Sequence, residues 1–241
     1  MDVDQAFIQS ELDTEMFLRL RPGCRCLSGK VVRLNKAPHG LKQSGSSWYK
    51  LLSSTLVECG FEQYLVDSCV FRLIVNDEIV AMLIVDVDDI KIAATKGITD
   101  SIVAELNKRF STKHLGEVTW YMGSQYMRAC EKGTLEISQT QFIRNVVELF
   151  GITNASPIPA SLSLDLRHVS DADPAVDVSY REMVGSLMSI ANQTRPDIAN
   201  AVRAVARFSH DPKEVHVKAA RKMIEYLSAT PHLGLPLQKG Q

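Results

Sequence analysis

Three carboxylates fall within four positions of this chain. Asp86, Asp88 and Asp89 sit in the stretch 79–94, which reads I-V-A-M-L-I-V-D-V-D-D-I-K-I-A-A. Ionised carboxylates at such spacing repel strongly, and a cation between them relieves the repulsion. A lone Asp at a hairpin tip carries no such message, because its side chain bonds its own backbone there. An adjacent pair between two apolar strands, with another Asp-containing strand elsewhere, is the layout that two-metal phosphoryl transfer requires. The D-x-D patterns at 2–4 and 86–88 would also suit a metal-dependent glycosyltransferase, but nothing else in the chain supports a sugar-nucleotide fold. An EF-hand loop starting at Asp86 is excluded, since Lys91 stands where a glycine must turn and Gly97 where a bidentate Glu is needed.

Such a site needs elements that bring its acids together. Residues 69–75 and 79–85 read as strands flanking the hairpin signal Asn76-Asp77-Glu78, and 90–94 as the strand leaving the acidic turn. Residues 3–8 and 31–34 read as short strands. Trp48, Leu51, Leu52, Thr55, Leu56 and Cys59 recur at helical spacing over 46–59, with Gly60 where a C′ glycine belongs. Ile102, Val103, Leu106 and Phe110 share one face of a helix over 102–110. Residues 118–126 and 134–137 read as a strand pair around Glu131-Lys132-Gly133, and Ser138-x-x-Gln141 as a capping box opening a helix that ends at Gly151. A segment rich in Pro, Ser and Asp at 154–177 reads as a linker. Beyond it the pattern is helical. One helix is capped by Ser179-x-x-Glu182, with Met183, Val184, Leu187, Met188 and Ala191 inward. The next runs from Arg195-Pro196-Asp197 to 208, and the last from Asp211-Pro212-Lys213-Glu214 to 229.

With 241 residues, 45% of them hydrophobic, the chain can bury one large core or two small ones. Its 23% of charged residues excludes wholesale disorder, and a net charge of −1 gives no global signature for nucleic acid. Residues 16–50, however, contain no Asp or Glu, against Arg19, Arg21, Arg25, Lys30, Arg33, Lys36, Lys42 and Lys50. Such a run forms a local, uncompensated basic surface suited to an anionic partner. The five cysteines are scattered, and Cys24-Arg25-Cys26 has no second pair at zinc spacing. This argues against structural zinc and for a reducing compartment. No apolar run reaches bilayer length and the N-terminus has no signal-peptide pattern. An intracellular location, cytoplasm or nucleus and not secreted, is therefore expected. The histidines form no H-x-x-x-H pair and are assigned no role.

Five motifs, in order, resemble one family. Asp2-Val3-Asp4-Gln5-Ala6-Phe7 resembles the D-x-x-x-A-F strand of reverse transcriptases, and Asp86-Val87-Asp88-Asp89 resembles their Y-x-D-D turn. Lys36-Ala37-Pro38-His39-Gly40-Leu41-Lys42-Gln43 is similar to the Y-G-L-K-Q segment of copia-type retrotransposon polymerases. Leu115-Gly116-Glu117 with Trp120-Tyr121-Met122-Gly123 resembles the segment that holds the primer end. Val184-Gly185-Ser186-Leu187-Met188 and Thr194-Arg195-Pro196-Asp197-Ile198 resemble the helices leading toward an RNase H domain.

The resemblance implies an α+β fold. A reverse-transcriptase-like palm, an antiparallel sheet with helices on one face, would occupy 1–152 without fingers. A linker at 153–178, a three-helix thumb- or connection-like region at 179–230 and a tail at 231–241 would follow. The implied activity is RNA-directed DNA polymerisation on an RNA or DNA template-primer, with deoxynucleoside triphosphates as substrates and no membrane involved. Asp2, Asp88 and Asp89 would be the catalytic acids and the ligands of two Mg2+ ions, with Mn2+ as a substitute. Phe7, Gly40 and Gln43 would meet the nucleotide, Phe7 as an aromatic gate against a ribose 2′-hydroxyl. Lys42, Met122 and Gly123 would meet primer or template. Read from spacing alone, Trp48, Tyr49 and Trp120 fit buried faces better than base stacking.

Three departures from the family pattern point to an impaired or inactive fragment of a longer element. Asp86 stands where the family has Tyr or His. At roughly 6 Å and an effective dielectric near 20, that extra charge is worth on the order of 2–3 kcal/mol. Set against a primer phosphate, this is roughly a ten- to hundred-fold rate loss. The fingers region expected upstream of Asp2 and the RNase H motifs expected after Leu235 are not in the sequence. The alternative is a non-catalytic nucleic-acid-binding remnant of the same fold.

Overall fold

A computed structural model describes residues 1–24, 27–160, 166 and 179–238. It has an α+β architecture with antiparallel sheets and two compact units, Met1–Gly116 and Glu117–Gln241.

The first unit starts with β1 (Asp2–Val3) and a single helical turn, α1 (Ala6–Gln9). β2 (Glu11–Arg19) and β3 (Val31–Lys36) form a separate two-stranded ribbon. α2 (Ser44–Glu58) follows, then β4 (Glu62–Gln63), β5 (Val70–Val75), β6 (Glu78–Asp86), β7 (Asp89–Ala94), α3 (Lys96–Asn107) and β8 (Thr112–Lys113). The main sheet has the order β4-β5-β6-β7-β1-β8, so the short first strand is inserted between β7 and β8. On β6, Ala81, Leu83 and Val85 are buried while Met82, Ile84 and Asp86 are exposed, the period-two pattern of a sheet packed on one side. Trp48, Leu52 and Leu56 of α2 and Ile102 and Leu106 of α3 cover that buried side, to which Val3, Phe71 and Ile90 of the neighbouring strands belong. Each such aliphatic side chain contributes about 1.5–3 kcal/mol by leaving water.

Several expectations change here. The strand expected over 3–8 stops at Val3, because Gln5 adopts a left-handed φ of 51° and turns the chain into α1. Phe7 therefore lies on a helical turn. β2 had no counterpart in the sequence reading, since most of it is exposed and its apolar residues, Leu12, Met16, Phe17 and Leu18, do not alternate. α3 starts at Lys96, six residues before the expected start, and ends at Asn107, with Phe110 buried just beyond it.

The second unit contains a four-stranded sheet of order β12-β11-β10-β9, built from β9 (Trp120–Tyr121), β10 (Ser124–Ala129), β11 (Thr134–Ser138) and β12 (Leu235–Gln238). Its helices are α4 (Thr140–Leu149), α5 (Tyr180–Gln193), α6 (Ala199–Ala206) and α7 (Glu214–Ala229). Ile143 and Val146 of α4 share one core with Met183, Leu187, Val202, Met223 and Ile224. The compact units thus divide at Gly116 where 152 was expected, because α4 packs with the C-terminal helices. Residues 235–238, expected within a tail, pair with β11. Of the expected linker, 161–165 and 167–178 lie outside the described residues, while the Ser156 N–H donates to Glu225 O at 3.1 Å. The Ser138 capping box does not form: Ser138 ends β11 and is buried, and no side chain caps α4. Met188 and Trp120, expected inward, are 43% and 52% exposed.

Arg195 is 1% exposed and every part of its guanidinium has a partner. It forms a bidentate bond with Asp197 at 3.0 and 2.8 Å and donates to Thr230 O at 2.8 Å and Thr230 Oγ1 at 3.0 Å. Tyr226 places its ring 5.1 Å from the guanidinium carbon and donates its hydroxyl to Asp197.

Candidate active site

Asp2 and Asp89 are directly opposite in the antiparallel pairing of β1 with β7. The flanking bonds, Val3 N–H to Asp88 O at 2.9 Å and Ile90 N–H to Met1 O at 2.8 Å, identify the kind of pair. Asp2 and Asp89 exchange no backbone bonds with each other. That is the closer class of cross-strand pair, with Cα atoms about 4.5 Å apart. Asp86 is the partner of Asp89 on β6, and Lys113 is the partner of Asp2 on β8. Asp86, Asp89, Asp2 and Lys113 therefore form one row across four strands. Val85, Ile90 and Val3, their immediate neighbours in sequence, are buried on the other side. The acids thus face away from α2 and α3. Like charges directly opposite on a sheet are destabilising, so the row gains when a cation joins it.

Asp88 belongs to the two-residue turn between β6 and β7. Val87, its neighbour, has φ 56°. This left-handed conformation suits Gly at the first turn position. For a β-branched residue it costs of order 1–3 kcal/mol and persists only where the surroundings over-determine it. Both central carbonyls of this turn are held from outside it. The Trp48 Nε1–H donates to Val87 O at 2.6 Å, and the Val3 N–H takes Asp88 O. Trp48 is 1% exposed and meets Phe110 edge-on at 5.2 Å. Leaving that buried indole N–H unpaired would cost about 1–3 kcal/mol, comparable to the strain it opposes.

Two lysines border the acids. Lys113 bonds Asp4 at 2.7 Å, and Asp4 also accepts from Ser111 Oγ at 3.0 Å. The bonds from Lys113 and Ser111 hold the Asp4 carboxyl below its ordinary value, and the Lys113 ammonium is raised in turn. Asp4 is thus committed to a surface ion pair, so residues 2–4 are not a chelating D-x-D. Burial pushes the Lys91 ammonium down, while Asp86 and Asp89 pull it up less strongly. Lys91 thus answers part of the Asp86 charge.

Asp2, Asp88 and Asp89 carry oxygen donors of the kind that hard divalent cations prefer. Among the described residues, no three His, Cys, Asp or Glu groups converge on a single metal position. The arrangement presents a pair of acids, with Asp88 beside them in the turn.

Asp88 and Val87 also line a cavity of about 440 Å3 with Gln5, Ala6, Phe7, Ile8 and His39. Phe7 and His39 place their ring centroids 5.3 Å apart. His39 had no assigned role. The available signal was its place in the motif, where the resembling family has another ring, Tyr. Gly40 follows with φ 96° and open space where a Cβ would stand, so the backbone conformation is what calls for glycine. Gln43 and Lys42 do not line this cavity. Gln43 precedes α2 and its amide nitrogen lies 2.8 Å from the Met16 sulfur, while Lys42 is exposed. Met122 and Gly123 belong to the second unit. They are the left-handed turn residues between β9 and β10, with φ 47° and 77°, rather than part of one strand.

The basic run is less isolated than its sequence suggests. β2 brings acids opposite it: Glu15 meets Arg33 at 3.2 Å, and Glu11 is the cross-strand partner of Lys36. Arg25 lies outside the described residues, whereas Arg19, Arg21, Lys30, Lys42 and Lys50 are exposed. Among the described residues no helix is long and apolar enough to cross a membrane.

The chain is 33% identical over its whole length to a retrovirus-related Pol polyprotein from transposon RE1 of Arabidopsis thaliana, of which it covers 16%. It is 31% identical, over 95% of its length, to the corresponding polyprotein from transposon TNT 1-94 of Nicotiana tabacum, covering 18% of it. A putative transposon Ty5-1 protein of Saccharomyces cerevisiae is 28% identical over the whole chain, which covers 79% of that protein. The chain therefore spans less than a fifth of the two plant polyproteins. No solved structure matches. Residues 1–162, which include every acid of the row, match the family described as reverse transcriptase (RNA-dependent DNA polymerase). On the opposed acids and these matches together, the chain belongs to the reverse transcriptase (RNA-dependent DNA polymerase) family, in its copia-type retrotransposon branch.

Proposed function

We propose that this chain is the polymerase region of a retrotransposon Pol protein, extending a primer on an RNA template by nucleotidyl transfer. The observation that carries the reading is the register that sets Asp2 against Asp89, with Asp88 beside them in the turn. In this reading Asp2, Asp88 and Asp89 hold two divalent ions, Mg2+ or Mn2+. Such ions, when bound, activate the primer 3′-hydroxyl and neutralise charge on the transferred phosphoryl group. The cavity beside Asp88 receives the sugar of a deoxynucleoside triphosphate, with Phe7 and His39 as its aromatic side. Phe7 excludes a 2′-hydroxyl. The family motif, rather than this cavity, assigns Gly40 and Gln43 to the nucleotide, Lys42 and the exposed cations of 19–50 to backbone phosphates, and Met122-Gly123 to the primer. The first unit acts as palm and the helices of the second as thumb or connection. Asp86, directly opposite Asp89 where the family has Tyr or His, makes the activity weak.

The test is primer extension with Mg2+ by the unsubstituted chain and by Asp88→Asn. Slow, distributive extension that Asp88→Asn abolishes is expected. Robust processive synthesis would rule out impairment. The second reading, a non-catalytic nucleic-acid binder, is favoured by the failure of three acids to converge among the described residues. It requires template-primer binding without extension, unchanged in Asp88→Asn and weakened by salt.

A further inference from the structure

We propose that Trp48 is a positioning residue for the acidic turn: its indole N–H holds the Val87 carbonyl and so keeps Asp88 aimed beside Asp2 and Asp89. The inference rests on the polymerase reading and extends it to a residue remote from substrate.

The two turns that bound β6 make the argument. Asn76 and Asp77, at φ 52° and 64°, are residue types that tolerate the left-handed region by themselves. Val87, at φ 56°, is not such a type. Its conformation is imposed from outside, by the 2.6 Å bond from Trp48 and by the bond from Val3 N–H to the next carbonyl. The Val87 carbonyl belongs to the peptide plane that joins Val87 to Asp88. Rotating that plane re-aims the Asp88 side chain, so the donor that fixes the carbonyl also fixes the acid. Trp48 can serve as a fixed post because it is buried in α2 and braced by Phe110.

Trp48→Phe keeps an aromatic ring in the core and removes only the donor. The readouts are Mn2+ affinity, from the spin-resonance signal of free Mn2+, and hydrogen exchange of the amides at 86–90. About tenfold weaker Mn2+ binding is expected, equivalent to 1.4 kcal/mol, with faster exchange at the turn. Val87→Gly in the Trp48→Phe background should bring the affinity back to within about threefold of the unsubstituted protein, because glycine takes a positive φ without strain. Lost packing would not be rescued in this way. Unchanged Mn2+ affinity in Trp48→Phe, with Asp88→Asn still losing Mn2+, overturns the proposal and leaves the polymerase reading standing. No Asp88-dependent Mn2+ binding in the unsubstituted protein overturns both. Should Trp48→Phe not fold, the indole resonances of the unsubstituted protein carry the test. Mg2+ should shift the Trp48 N–H signal and leave that of exposed Trp120 in place. A Trp48 signal indifferent to Mg2+ overturns the proposal.

Discussion

Arg195 in the second unit and the Asp86–Asp89–Asp2 row in the first are both concentrations of charge, and the fold treats them differently. The guanidinium is buried, and Asp197, Thr230 and Tyr226 answer it from fixed positions. The carboxylates stand on an open sheet face with like charge opposite like charge. Lys113, at the end of the row, is bonded to Asp4, while Lys91 and the Met1 ammonium interact with Asp86, Asp89 and Asp2. A charge whose partners are all supplied by the chain serves the fold. A row in which like charges stand directly opposite one another gains from a further cation that joins it.

That contrast can be broken most sharply at Arg195. Arg195→Ala removes a side chain that is 1% exposed and takes away the donor bonded to Thr230, while Asp197 keeps access to water, so it should cost about 3 kcal/mol in urea denaturation. A cost below about 1 kcal/mol would put Arg195 with ordinary surface ion pairs. The acidic row should respond to an external cation. Mg2+ at a hundred times its Kd should stabilise the protein by about 2.7 kcal/mol, and Asp89→Asn should remove most of that gain. Equal stabilisation of both proteins would mean that Mg2+ does not use the row. Without metal the sign reverses. Asp2→Asn should raise stability by about 0.2–1 kcal/mol by relieving the repulsion across the pair. A loss there would show that the row is internally compensated.

The smallest effect is a pH dependence at Asp197. Burial pushes this carboxyl up, but its bonds from Arg195 and Tyr226 and the Arg195 charge outweigh burial and hold it below the ordinary value. A depressed carboxyl contributes stability that is present above the unfolded value, about 3.9, and is lost as pH falls through the folded one. The difference in thermal midpoint between the unsubstituted chain and Asp197→Asn should therefore narrow as pH drops from about 5 to about 3. A constant difference would assign the role of Asp197 to geometry alone.

Local chemistry made some of this legible in the sequence. α2 showed its buried stripe and its closing Gly60, and the 76–77 turn showed residues that accept left-handed φ. What stayed hidden depends on distant partners. Gln5 turns the chain without a turn residue's signature. β2 shows no alternation because most of it is exposed. Ser138 carries the letters of a cap but is used as a strand end. At the site, the resemblance brought Asp2 to the acidic turn, and the register agrees. It also assigned Phe7 to the nucleotide, and Phe7 lines one cavity with Asp88. Nothing in the sequence linked Trp48 to Val87 across 39 positions or paired His39 with Phe7. The basic run read as unopposed because a window along the sequence cannot see the acids facing it across a ribbon.

The last described strand closes with a safeguard. β12 is the outer strand of its sheet, and Pro236 sits at its centre opposite Glu136. A proline has no amide hydrogen, so its nitrogen must point to the open border. There it withholds one of the donors that an incoming strand from another molecule would need. That border is poorly suited to stacking between copies, and Pro236→Val should make the protein more prone to form aggregates at high concentration.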